Sequence, residues 1–532
     1  MVILGILAFI LILGIIVLIH EGGHFFFAKR AGILCYEFSI GMGPLIYQKK
    51  VGETYYSIRA IPIGGYVSMA GEEVESNPLK NVNYCDLKIE NGKVVEIVCL
   101  KDDATEFENK YKIISSDLVG TKEELENELY IEVEIDGQAV RYDVIRECIV
   151  RFSKKEAIQI APYNRLFINK TILQRFLTVF AGPFMNMVLA FFVFFIMGIV
   201  TGYANYDSTV IYDLEPNTPA YNAGLRDGDT ILYIGEDNVT GDHYFTKWTD
   251  ISEVLDEYAK GVNFNGSVRV VYKNANGEIL ETHVKPNVII QTVGVIFKND
   301  GSNSLEVVAP QSGLSKDAGI ETGDIIKSIN GVTFTTRSEV LAYFQTGAGA
   351  ESKDFDIIVS RNGEEVALEK ISSYKKQTFE DNNIEVTKVQ LYISPAMTRN
   401  IGRLLIEPFK QIGTSATVIL KTLGALFTKD SGISITDLSG PVGIAQATVS
   451  MLEQGALSLM NWMAILSVNI GLMNILPLPA LDGGRLAFIL YELITRKKAN
   501  PKVENIIHSI GFILLMILFV FVAFNDVLRI FK

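Results

Sequence analysis

An apolar run over residues 2–19 passes without a break into His20-Glu21-Gly22-Gly23-His24 and on into Phe25-Phe26-Phe27-Ala28. About 20 apolar residues suffice to cross the hydrocarbon core of a bilayer. Only a helix satisfies every backbone amide of such a single segment there. On a helix the two histidines stand at i and i+4, so both imidazoles leave one face and can share a zinc ion. The glutamate between them is placed to act as general base on a zinc-bound water. Two imidazoles and a carboxylate are costly in hydrocarbon and mark function by default. The expectation is peptide-bond hydrolysis within the membrane rather than beside it.

Of the 532 residues, 48% are hydrophobic, and they are gathered in blocks. Besides residues 2–27, the blocks at about 173–200 and 506–524 are long enough to span. A further block, about 457–490, is interrupted by Asn469, Asn474, Pro477, Pro479 and Asp482. Such a broken span is tolerated only where its polar groups face protein or a wet cavity. The first block has neither a basic leader nor a small-residue cleavage signal, so it reads as a retained helix. The expected fold is a multi-pass α-helical membrane protein with about four transmembrane helices.

Lys29, Arg30, Lys49 and Lys50, then Arg165, Lys170 and Arg175, then Arg496, Lys497, Lys498 and Lys502 fall on one side of a four-crossing chain. By the positive-inside bias that side is the cytoplasm, with residues 30–170 inside and both termini outside. Arg399, Arg403 and Lys410 fall on the other side and weaken the bias. Cys35, Cys85, Cys99 and Cys148 all lie between the first two spans, as free thiols would in a reducing compartment. No pair has the C-x-x-C spacing of a zinc ribbon. The net charge of −13 argues against nucleic acid as a partner.

Residues 36–72 read as strands, with Gly41-Met42-Gly43-Pro44 and Gly64-Gly65 as turn chemistry. Residues 73–162 form an acidic insert, expected to be a small cytoplasmic β-rich or α+β domain. Glu90-Asn91-Gly92-Lys93 and Ile135-Asp136-Gly137-Gln138 are hairpin signals within it. The outer region holds a repeat. Ala223-Gly224-Leu225-Arg226-Asp227-Gly228-Asp229-Thr230-Ile231 matches Ala318-Gly319-Ile320-Glu321-Thr322-Gly323-Asp324-Ile325-Ile326 at a constant offset of 95. Both copies resemble the PDZ domain, with Pro216-Asn217-Thr218-Pro219-Ala220 and Pro310-Gln311-Ser312-Gly313 as preceding loops and Arg361-Asn362-Gly363-Glu364 as a later hairpin. The copies are placed at 203–290 and 291–395. Neither has the G-L-G-F signature of peptide-tail binders, so carboxylate capture is not expected. Residues 396–452 read as an amphipathic membrane-surface segment broken at Gly440-Pro441-Val442-Gly443, followed by spans at 456–492 and 504–525.

A hydrolytic zinc wants three protein ligands and one open position. His20 and His24 supply two. The candidates for the third are His243, His283, His508 and Asp482. Asp482 is the better one, because an unpaired aspartate inside a span costs on the order of 3 kcal/mol, which ligation would remove. The competing reading is an aspartate at a helix N-terminus facing water, since Pro477 and Pro479 break the helix there.

The conjunction of H-E-x-x-H in the first span, Asn474-Ile475-Leu476-Pro477-Leu478-Pro479-Ala480-Leu481-Asp482-Gly483 in the third and the repeat between them resembles the site-2 proteases, intramembrane zinc metalloproteases. Within that family the likeness is to the bacterial regulator-of-sigma-E proteases with tandem PDZ domains, and it covers nearly everything except residues 73–162. The resemblance implies zinc ligation by His20, His24 and Asp482, and proton transfer by Glu21. It implies substrate-backbone contacts from Asn474 and Asn469, each of which also reads as a buried amide bonding to a neighbouring helix. It further implies a membrane-associated β-loop over residues 36–72, whose edge at 55–67 receives the unwound substrate by strand addition, and two PDZ domains outside the bacterial inner membrane acting as a size filter or a peptide sensor. The substrates would be single-pass proteins such as anti-sigma factors or signal-peptide remnants in the lipid bilayer. Two other readings compete: a membrane-anchored PDZ scaffold with a non-catalytic zinc site, and a divalent-metal transporter. Gly22-Gly23 costs about 1 kcal/mol per glycine in a helix, and tight packing against the third span is the expected reason for it.

Overall fold

The computed structural model describes residues 2–530 apart from 73–77, 80–81, 100–108, 121–128, 154–156, 236–243, 260–266, 291–292, 298–303, 309–313, 347–353, 373–386 and 427–437. The chain forms two compact units. One comprises Met1–Met197, Pro408–Thr417 and Leu438–Lys532; the other comprises Gly198–Glu407 and Val418–Asp437.

Four helices among the described residues are long and apolar enough to cross a membrane: α1 (Val2–Arg30), α2 (Ile172–Thr201), Ala456–Ile475 and Pro501–Ile530. These four candidate spans match the number expected. The broken third block resolves into Ala456–Ile475, a turn, and a separate helix Asp482–Thr495. Ile12 and Ile16 of α1 pack with Leu189 of α2 and Leu466 of the third span. Val179 of α2 packs with Leu486 and Ile489 of the Asp482–Thr495 helix. Thus α2 touches both elements that carry the candidate ligands.

Lipid offers helices no hydrophobic reason to associate, so small residues set how closely they approach. A Cβ on Gly23 would sit 2.5 Å from the Ala181 carbonyl oxygen of α2, whereas one on Gly22 would meet nothing within 4 Å. The expected packing of this pair against the third span is thereby corrected. Only one of two adjacent residues can face a given neighbour on a helix, and the neighbour is the second span.

After α1, strands β1 (Cys35–Val51) and β2 (Thr54–Met69) form one antiparallel ribbon with the tight turn at Gly52-Glu53. Both strands bend near their glycines, so that Phe38 is flanked by Val67 on one side and Tyr56 on the other, while Tyr56 also pairs with Lys49. The fold-back converts two strands into a four-ply sheet, and Phe25 of α1 packs against its Phe38 and Tyr56 rings. Glu53 in the turn receives Lys29 at 2.6 Å and a bidentate Arg165 at 2.6 and 2.7 Å. The Arg165 hydrogen bonds lead in holding its carboxyl down at about 2, against an ordinary 4.5. A depressed carboxylate stabilises the fold above its unfolded value and loses that contribution as pH falls toward the folded one. Glu53→Gln is therefore expected to lower the melting temperature at pH 7 and to approach the wild type between about pH 5 and 2. A pH-independent difference in detergent melting curves would contradict this.

The insert is a small sheet of strands β3 (Tyr84–Glu90), β4 (Lys93–Val98), β5 (Tyr111–Asp117), β6 (Tyr130–Ile135), β7 (Gln138–Arg151) and β8 (Ala157–Gln159). Their order is β4-β3-β5-β6-β7-β8, and a parallel β4–β7 pairing closes five of them into a barrel. Asn91-Gly92 and Asp136-Gly137 take φ of +50°, +77°, +51° and +79°, the all-positive pattern of tight hairpin turns. Cys85, Cys99 and Cys148 are buried free thiols in the barrel core, where burial pushes them up to about 12.

In the second unit the two repeat copies make the same backbone bonds. Gly228 donates to Ile211 and Ile211 to Asp229; Gly323 donates to Val307 and Val307 to Asp324. Leu225 donates to Ala220 as Ile320 does to Ser315. The side chains of Asp229 and Asp324 accept the amides of Arg226 and Glu321 at 2.8 and 2.9 Å. The A-G-Φ-x-x-G-D pattern is thus one structural device used twice. The hairpin at Asn362-Gly363 has φ of +53° and +89°. Residues 310–313, read as a loop of the second copy, lie outside the described residues.

The segment after the second copy contains an amphipathic helix, Ile401–Ala425, with Ile401, Leu405, Ile406 and Phe409 exposed. Another helix, Pro441–Glu453, begins at the expected break. Its N-terminus is capped by the buried Asp526, which accepts the Gly443 amide at 2.8 Å.

Candidate metal centre

Helix α1 carries His20 and His24 one turn apart, on the face turned to α2. Both are buried, at 7% and 8% exposure. The third group arrives from the other end of the chain. The Ala456–Ile475 helix ends at Leu476, whose ψ of 141° takes the chain out of the helix toward Pro477 and Pro479. Ala480 then adopts φ +72°, a left-handed conformation that costs an alanine about 1–2 kcal/mol. Asp482 opens the next helix. The turn is held from both sides. The Ala480 amide donates to His508 Nδ1 at 2.9 Å, and Arg485, one turn beyond Asp482, pairs with Glu72 just after β2.

His20 Nε2 lies 3.1 Å from Asp482 Oδ2, His24 Nε2 lies 3.3 Å from the same oxygen, and the two Nε2 atoms are 3.3 Å apart. A tetrahedral zinc with bonds of about 2.0–2.1 Å has ligand atoms roughly 3.3 Å apart, so this triangle fits one face of such a tetrahedron. The tautomers support the fit. His24 Nδ1 donates to the Thr178 carbonyl at 2.8 Å, which fixes the proton there and leaves the Nε2 lone pair facing a carboxylate oxygen. Two lone pairs 3.3 Å apart repel unless a cation lies between them.

Glu21 follows His20 on the helix and lies beside the hairpin: a Cβ on Gly65 of β2 would come within 3.0 Å of Glu21 Cγ. It is close enough to interact electrostatically with His24, His20 and Asp482. Of the sequence candidates, His20, His24 and Asp482 are brought together. His508 is not among them, since it supports the turn. His283 lies on a strand of the other unit, and His243 falls outside the described residues. Asn469 and Asn474 are half-buried on the Ala456–Ile475 helix, with no side-chain hydrogen bond to another described residue.

The sequence reading passed over what α2 contributes. Gly182 cradles a ligand: a Cβ there would fall 2.2 Å from His24 Nε2. Asn186, fully buried, places its amide nitrogen 3.2 Å from His20 Nδ1. A lone asparagine in an apolar span is the same signal that singled out Asn469 and Asn474, and it could have been applied here.

The profile of peptidase family M50 matches residues 8–518. The chain is 30% identical over 530 residues to a protein named zinc metalloprotease RasP from Oceanobacillus iheyensis, covering 99% of each. It is 30% identical over 529 residues to the protein of that name from Geobacillus kaustophilus, covering 99% of this chain and 98% of the relative. A putative zinc metalloprotease, SAS1196 of Staphylococcus aureus, is 30% identical over 535 residues, covering 99% of this chain and 98% of the relative.

Proposed function

Because the chain belongs to peptidase family M50 and is a zinc metalloprotease of a bacterial membrane, we propose that it cuts peptide bonds in or near the transmembrane segments of single-pass regulatory proteins, with zinc held by His20, His24 and Asp482. The observation that carries this reading is the convergence of those three side chains, from opposite ends of the polypeptide, within 3.1–3.3 Å of one another on helices fit to cross a membrane.

Zinc bound there supplies a water whose pKa falls to about 7. Glu21 accepts the proton of the attacking water and returns it to the leaving amine nitrogen. Asn474, and Asn469 before it, hold the substrate backbone; their half-buried amides are free of internal side-chain bonds and so available to one. A transmembrane substrate hides its amides in its own helix and must unwind to be cut. The bent ribbon of β1 and β2, beside Glu21 at Gly65, offers replacement partners by strand addition. The repeat copies at 203–290 and 291–395 act as PDZ domains outside the membrane and restrict access to substrates already shortened there, among them anti-sigma factors or signal-peptide remnants. Residues 30–170 face the cytoplasm.

Metal analysis tests the ligand set. His20→Ala and Asp482→Ala are each expected to reduce zinc from about one ion per chain to a small fraction, with the proteins still folded in detergent. A full complement of zinc in either would sink the assignment. In vesicles, mass spectrometry of a cleaved single-pass substrate should place the cut within or at the border of its apolar segment.

A further inference from the structure

We infer that Asn186 is a positioning residue for His20, its side-chain amide able to set the tautomer in which Nε2 binds metal; this rests on the zinc reading above. Asn186 is 0% exposed, and its nitrogen lies 3.2 Å from His20 Nδ1. Its side-chain oxygen is buried with no hydrogen-bond partner. The backbone there is fixed, because the Asn186 carbonyl accepts the Ser467 hydroxyl at 2.8 Å. Only the end of the side chain is free to turn.

His20 Nε2 faces Asp482 Oδ2 at 3.1 Å, and Nδ1 meets the asparagine amide at 3.2 Å. A buried amide oxygen left unpaired forfeits its hydrogen bond to water without replacement. A neutral imidazole that offers its Nε2 lone pair to a metal carries its proton on Nδ1. The asparagine NH2 and Nδ1–H would then be two donors facing each other. A half-turn of the amide puts the orphaned oxygen onto Nδ1–H, satisfying the oxygen and fixing the tautomer in which Nε2 binds metal. Asparagine suits this place because it is donor and acceptor at one end and so serves either tautomer. His24 differs: its Nδ1 faces a backbone carbonyl, an acceptor only, which by itself fixes the proton there.

The test compares zinc affinity and the rate of zinc release to a chelator for the full-length protein and for Asn186→Leu and Asn186→Asp. Leucine removes the acceptor at similar volume and is expected to weaken zinc binding by about 10–100-fold, the usual loss for groups that orient a ligand. Aspartate can only accept, so Asn186→Asp is expected to hold zinc at least as tightly as the wild type. Wild-type affinity in Asn186→Leu overturns the inference. So does a loss in Asn186→Asp equal to that in Asn186→Leu, which would mean packing alone. Should the leucine variant not fold, the aspartate variant decides by itself, since a donor role or a packing role predicts faster zinc release. Absence of zinc from the wild-type protein would instead defeat the metal-site reading from which this one starts.

Discussion

Glu21→Gln is expected to leave zinc content unchanged and to slow cleavage of a transmembrane substrate by about 10²- to 10⁴-fold, the range for losing a general acid–base. The two halves of this result come from different atoms. The triangle of candidate ligands, His20, His24 and Asp482, does not include Glu21, so metal retention is not expected to depend on its carboxylate. Glutamine keeps the shape that fits beside Gly65 and removes only the ability to carry a proton. Zinc analysis and a gel-based cleavage assay on one preparation check both halves. Equal cleavage by the two proteins removes the proposed role of Glu21. Lost zinc would make it a ligand or a structural support instead.

The second large effect is expected at Gly182. Alanine in a helix interior is ordinarily favoured over glycine by about 1 kcal/mol. In α2 the added methyl would stand 2.2 Å from His24 Nε2 and 2.5 Å from its Cε1. The ring cannot slide away without giving up its 2.8 Å bond to the Thr178 carbonyl. The clash therefore outweighs propensity, and Gly182→Ala should weaken zinc binding by at least about 10–100-fold, with activity falling in step. Gly22→Ala is the matched control. It lies inside the zinc motif, yet its Cβ would meet nothing within 4 Å. Zinc should be unaffected and helix stability raised by about 1 kcal/mol. If Gly182→Ala bound zinc like the wild type, the close fit between α1 and α2 would be wrong.

Features with local or chemical necessity were legible in the sequence. His20 and His24 share a face because a helix repeats every 3.6 residues, and Asp482 stood out because hydrocarbon penalises an unpartnered carboxylate. Asn91-Gly92, Asp136-Gly137 and Asn362-Gly363 announced their turns through the positive φ such turns demand. The matched glycines and aspartates of the repeat announced a shared bonding scheme. Partnership across the bundle was less legible. The packing of Gly23 depends on which helix happens to face it, and α1 itself carries no trace of Ala181. Asn186 meets a residue 166 positions away, and a single amide has no periodicity to betray it. The fold-back of β1 and β2 needs tertiary contacts with α1, since bends at Gly41, Gly43 and Gly64 are permitted but not dictated by sequence.

Closure of the inserted barrel bears on how an unwound polypeptide behaves at this enzyme. A segment drawn out of its helix carries rows of unsatisfied amides and will zip onto any long vacant strand it meets. With β4 joined to β7, the borders left among the described residues are short: β8, three residues long, and the stretches of β3 and β5 beyond their two-residue pairing. It therefore makes a poorer decoy than an open sheet would, and under the proposed strand addition an extended visitor is left to seek its partners at the ribbon beside Glu21.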